Sequence, residues 1–241
     1  MSRRNEFQQV SEKPAVKYLE WASEKGKFKY YDKDKKENVL IDLPKFLTLM
    51  QFHTVKGWHD ASESGIWANE VKLISSEEID VRAFKGGSIA KGFYKDIKDR
   101  ITQAGGHYVK SLYIMTESGE VWNLQLKGAV VQQWGETFNK CMNRLADEWI
   151  VIDKVEKKKK GRVEYTVPVF KFAGVTSDEE SAMADKCYDA LAERLKTDKE
   201  ERSASEIVPV KSAQLNGEMA QAINDSGLES LLGMDEDDLP F

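Results

Sequence analysis

Rings and cations alternate along the first half of this chain. Phe28, Tyr30 and Tyr31 sit among Lys25, Lys27, Lys29 and Lys33, and Trp58 and Trp67 flank a polar loop with Lys72 close behind. Phe84 lies between Arg82 and Lys85, and Gly86-Gly87 leads on to Lys91, Phe93, Tyr94 and Lys95. Tyr108, Lys110 and Tyr113 share one stretch, with Trp122 on the next. Flat rings can take the faces of unpaired bases while ammonium and guanidinium groups take phosphates, so this mixture suits a single nucleic-acid strand. Each stacked base contributes about 1–3 kcal/mol, so a few rings and cations suffice without any reading of base edges. The expected contact set is Lys29, Tyr31, Trp58, Trp67, Lys72, Arg82, Phe84, Lys85, Lys91, Tyr94, Tyr108, Lys110 and Trp122.

Most aromatic residues in strands serve a core, and Trp134, Phe138, Phe170 and Phe172 are assigned to it. Alternation separates some of the others. Arg82 and Phe84 are two apart on one strand and point the same way, as do Tyr108 and Lys110. A ring that shares a face with a cation is a better candidate for contact than one among aliphatics. The "KKKKGR" run at residues 157–162 reads first as a solvated hairpin tip and second as a place for phosphate.

Signatures of catalysis are scarce. His53, His59 and His107 are the only histidines, and none stands at a metal-binding spacing from a cysteine or acid. Gly86-Gly87 and Gly105-Gly106 make neither a phosphate loop nor a dinucleotide fingerprint, and no Gly-x-Ser-x-Gly elbow occurs. No enzyme activity, metal or cofactor is expected. Cys141 and Cys187 are read as lying in helices, reduced and buried.

The elements that must position these groups begin after Gly26, where the texture turns to short runs broken by turn residues. "GKFKYYDK", "ENVLIDL", "PKFLTLMQFHTVKGWH", "GIWANEVKLI" and "EIDVRAFKGG" read as strands. Before them, "KPAVKYLEWASEK" carries a short helical pattern. "FYKDIKDRITQAGG" places Tyr94, Ile97 and Ile101 at helical spacing, and two strands follow, "HYVKSLYIMTE" and "EVWNLQLKG". "AVVQQWGETFNKCMNRLADE" reads as a helix with Val131, Trp134, Phe138, Cys141, Met142 and Leu145 on one side. A long hairpin and a helix capped at Ser177-Asp178 complete the body. The fold class is mainly β with helices (α+β). Its helix set between barrel strands implies an OB-fold-like barrel with a helical and hairpin extension and a disordered acidic tail.

Three regions are expected: an N-terminal extension over 1–25, a strand-binding domain over 26–199, and a flexible acidic tail over 200–241. The 241 residues carry a net charge of −5, but ten acids against Arg202 and Lys211 give residues 200–241 a net of −8. Residues 1–199 are therefore at +3, and the mildly basic body keeps nucleic acid open as a partner. No apolar run is long enough to span a membrane, and "MSRRNEFQQVSEKP" has no apolar segment behind its arginines, so no secretory signal is expected. Aromatic residues are absent from residue 200 until Phe241, a composition expected to stay disordered, with a short helix considered within 214–232.

The last eight residues, "MDEDDLPF", combine four consecutive acids with Leu-Pro-Phe. They resemble the C-terminal tip of bacterial single-stranded DNA-binding proteins, where aspartates precede an aliphatic residue, Pro and a terminal Phe. The body is similar to the larger phage proteins of that family, which join an OB-fold to such a tail. The resemblance implies a sequence-tolerant protein that protects single-stranded DNA in replication, recombination and repair. It further implies that Asp235, Glu236, Asp237, Asp238, Leu239, Pro240 and Phe241 recruit partner enzymes and can compete with DNA for the protein's own cleft. The compartment implied is the cytoplasm of a bacterium or of a phage-infected cell. Two other classes stay open: a replication-associated interaction protein without tight DNA binding, and an OB-fold nuclease or annealing recombinase. A homodimer is left open as well.

Overall fold

Leu19 and Trp21 decide the first element. "KYLEWA" can present a helical stripe, yet in the computed structural model, which describes residues 14–206, it is strand β1 (Lys17–Ala22). The helical reading is thus corrected. Leu19 is fully buried and Trp21 packs beside it, an alternation that only a strand satisfies. β1 runs parallel to one later strand and antiparallel to β2 (Lys27–Asp32), which turns into β3 (Glu37–Ile41).

A meander follows, of β4 (Phe46–His59), β5 (Ser64–Ala68), β6 (Glu78–Ala83) and β7 (Gly87–Phe93). β7 is not among the expected strands, because Ala90 is its only buried side chain and little alternation marks it. Helix α1 (Tyr94–Gln103) buries Ile97 and Ile101 as the spacing requires, and Ile101 closes against Gly106, where a Cβ would meet its methyl at 2.7 Å. β8 (Gly106–Thr116) then returns along the free side of β4, and β9 (Val121–Lys127) pairs with β8 and β1. The order across the sheet is β3-β2-β1-β9-β8-β4-β5-β6-β7, with β1 and β9 parallel and the other pairs antiparallel. The protein is therefore α+β, mainly β, built on an open mixed sheet.

Helix α2 (Ala129–Phe138) ends before Cys141, contrary to the longer helix expected from the periodicity. The chain turns so that Leu145 reaches the core and the Arg144 guanidinium lies 4.1 Å from the Phe172 ring centre, leaving Met142 exposed. Cys141 is half-buried outside any α-helix, and Cys187 is half-buried on α3 (Asp178–Glu206); both are free thiols, so burial was overestimated for each. The hairpin of β10 (Glu148–Lys160) and β11 (Val163–Val175) joins the sheet through Ile150 opposite Phe46. The start of α3 is a reciprocal cap: Glu180 N–H donates to Ser177 Oγ at 3.2 Å, and Ser177 N–H donates to the Glu180 carboxylate at 2.8 Å.

Two cores lie on one face of the sheet. The larger gathers Trp134 and Phe138 of α2, Phe170 of the hairpin, and Leu19, Phe28, Phe46, Leu112 and Leu124, with Phe172 packed against it. The smaller gathers Val55, Ile66, Val81, Ile97 and Ile101 under α1. On the opposite face, α3 lays Leu191 against Met50 and Tyr113, and Met183 and Ala184 against Leu47, Met115 and Trp149. By contacts the chain divides into units 1–195 and 196–241; the described part of the second is the end of α3. Among the described residues no helix is long and apolar enough to cross a membrane.

Candidate nucleic-acid interface

Strand register assigns each candidate to a face. Ile66, Ala68, Ile79, Val81 and Ala83 turn inward beneath α1, so their neighbours on β5 and β6 turn out to solvent on the other side. There Trp58 of β4 stands opposite Gly65 of β5, and the Phe84 N–H donates to the Gly65 carbonyl at 3.0 Å. In the next row Trp67 stands opposite Arg82. Phe84 is 72% exposed and Trp58 56% exposed, unusual values for rings of this size. The rings of Trp67 and Phe84 are 6.3 Å apart between centroids and tilted by 36°. Three rings thus surround a glycine on an open sheet surface, which leaves their faces accessible to flat ligands.

Cations border this platform. Lys85 and Lys91 are exposed, Lys91 opposite Asp80 on β7. Arg82 is held by Asp80 in a two-pronged pair, Nε to Oδ1 at 3.0 Å and Nη2 to Oδ2 at 2.6 Å. That carboxylate offsets part of the charge Arg82 offers a phosphate. Lys56 stands two residues before Trp58 on the same side of β4, with His107 across from it on β8. Lys56 is not among the expected contacts, although its spacing of two from Trp58 on one strand is a usable signal.

The other expected contacts lie elsewhere. Lys29 and Tyr31 share the outer face, since Phe28 and Tyr30, which alternate with them, pack into the main core, but β1, β9, β8 and β4 separate their strand from β5. Lys72 is exposed in the loop between β5 and β6. Tyr94, Tyr108 and Lys110 belong to the inner face. Trp122 is a correction: it is 5% exposed, stands opposite Ile114 in the main core, and carries the Lys17 ammonium 4.2 Å from its ring centre. A ring buried in this way has no face left for a base. The basic run at 157–162 forms the hairpin tip, where Gly161 has a φ of 59° at the turn. The tip motif of Asp235, Glu236, Asp237, Asp238, Leu239, Pro240 and Phe241, and the helix considered within 214–232, lie outside the described residues.

On the inner face, beside α2, a cleft of about 620 Å³ opens over His53, Tyr108 and Lys110, with Gln132, Asn139 and Lys140 on its other wall. His53 Nδ1 and the Tyr108 hydroxyl are 2.5 Å apart, and the Tyr94 ring lies beside Tyr108 at 5.7 Å. Burial lowers the pKa of His53, helped by the Lys110 charge and opposed by Glu77. Burial and the neighbouring Tyr94 push Tyr108 up to about 12, and burial lowers Lys110. At neutral pH the imidazole and phenol are therefore uncharged and the ammonium is the cleft's buried charge.

Among the described residues no three or more His, Cys, Asp or Glu side chains gather as a metal site. No protein-family model, curated protein or solved structure matches the chain.

Proposed function

We propose that this protein binds single-stranded DNA without base readout, as a non-catalytic protein of replication and recombination. The observation that carries the reading is the platform of Trp58, Trp67 and Phe84 around Gly65, bordered by Lys56, Lys85 and Lys91. Only unstacked bases present their faces to such rings, so a single strand is favoured over duplex. An OB-like arrangement is the finer reading of the fold. Its support is the order of a β4–β7 meander, helix α1, and then β8 returning beside β4. In that arrangement the platform sits on the outward side of the meander, a surface with which such barrels bind oligonucleotides.

The acidic segment ending Asp238-Leu239-Pro240-Phe241 is assigned to partner recruitment, with Phe241 filling an apolar pocket and the acids meeting its basic rim. The deciding experiment is a fluorescence titration of the whole protein with oligothymidylate at several salt concentrations, with duplex of equal length as competitor. Quenching of tryptophan emission, affinity that falls as salt rises, and weak competition by duplex are expected. Equal affinity for duplex and single strand would overturn the reading.

A further inference from the structure

The cleft on the inner face stands apart from the ring platform and does not rest on it. Its floor follows from register: His53 and Lys110 are cross-strand partners on β4 and β8, and Tyr108 lies two residues from Lys110, so all three side chains rise on one face. Lys110 is half-buried, and among the described residues no carboxylate pairs with it. A cation withdrawn from water without a counter-charge is costly, and burial already presses this ammonium below its ordinary 10.5. An arriving anion removes that cost. Lys140 on the rim adds a second cation, whereas Glu136, which accepts a hydrogen bond from Gln132 at 2.8 Å, opposes a ligand with more than one phosphate.

The remainder of the cleft is not shaped for a bare ion. Tyr108 and His53 present rings tilted by 31° with centroids 5.8 Å apart, and Val131 adds an apolar wall. Asn139 carries an amide that can both donate and accept, as the edge of a base requires. The volume of about 620 Å³ is in the range of small-molecule sites. We propose that this cleft binds one nucleotide, its monophosphate on Lys110 and Lys140 and its base against Tyr108 and His53. The same chemistry has two sources, a free nucleoside monophosphate or one unit of a bound strand.

The test titrates the full-length protein with thymidine 5′-monophosphate by calorimetry, and follows the His53 and Tyr108 ring resonances by NMR. Binding of the mononucleotide, with both rings shifted, assigns the cleft to a free nucleotide. Shifts produced by oligothymidylate alone assign it to a unit of the strand. Lys110→Met should weaken the ligand about tenfold or more, the loss of one hydrogen bond to a charge, while Lys110→Arg should retain it. Should Lys110→Met fail to fold, Lys140→Ala on the rim gives the same comparison with a smaller loss. Phe84→Ala should weaken oligothymidylate while the His53 and Tyr108 shifts with the mononucleotide persist, so failure of the cleft and failure of the platform are distinguishable. Inorganic phosphate displacing the mononucleotide at equal concentration would overturn the assignment. Unmoved His53 and Tyr108 resonances with both ligands would do the same.

Discussion

Phe84 leans over Gly65. A Cβ added at Gly65 would meet the Phe84 ring at 3.3 Å, closer than ordinary contact, so the absence of a side chain is what lets the ring lie across the strand. Gly65→Ala should fold, because the ring is exposed and can swing aside, but it should displace Phe84 from beside Trp67. Oligothymidylate affinity is expected to fall by less than the loss of the ring itself, on the order of 1 kcal/mol. An unchanged affinity would show that the position of the ring is immaterial.

Phe84→Ala and Trp67→Ala should each weaken oligothymidylate binding by about 1–3 kcal/mol with little change in unfolding midpoint. Trp134→Ala should behave in the opposite way. Its indole is fully buried against Phe46, Phe138 and Phe170, so a loss of about 3–5 kcal/mol of stability is expected. Denaturant unfolding alongside fluorescence titration separates the two behaviours.

Lys85 and Lys91 are expected to act through phosphate alone. Replacing either with Ala should weaken binding to all single strands alike. It should also reduce the slope of log affinity against log salt by about 0.7, the single-strand value for one phosphate contact. A change in base preference instead would place these residues against bases.

The His53 imidazole is held neutral, first by burial and then by the Lys110 charge. Its folded pKa lies below the ordinary 6.5, so the unfolded chain binds the proton more readily. The stability it contributes is complete above 6.5 and is lost as pH falls from there through the lower folded value. His53→Gln, which cannot titrate, should therefore show a shallower loss of stability than the wild type between about pH 7 and about pH 5. Urea unfolding across that range is the measurement, and parallel curves would show that His53 does not carry the effect.

Much of this fold is legible in local pattern. Ile97 and Ile101 announce α1, Ser177 and Glu180 announce the cap of α3, and Phe28 between Lys27 and Lys29 announces the buried side of β2. These signals are local because helix period, cap geometry and strand alternation each involve only a few neighbouring residues. "KYLEWA" departs from its helical pattern because β2 and β9 supply pairing partners on both sides, which no local propensity records.

The candidate site divides along the same line. That Arg82 shares a side with Phe84, and Tyr108 with Lys110, is legible in spacing alone, because residues two apart on a strand point the same way. Strand pairing across the sheet makes these two sides opposite faces, the first open beside Trp67 and the second facing the cleft beneath α2. The same long-range pairing puts Trp122 in the core and leaves Trp58 in solvent. The reason is physical: alternation defines two sides of each strand, but cross-strand register sets which side joins which face, and the packing of distant helices sets which face is covered.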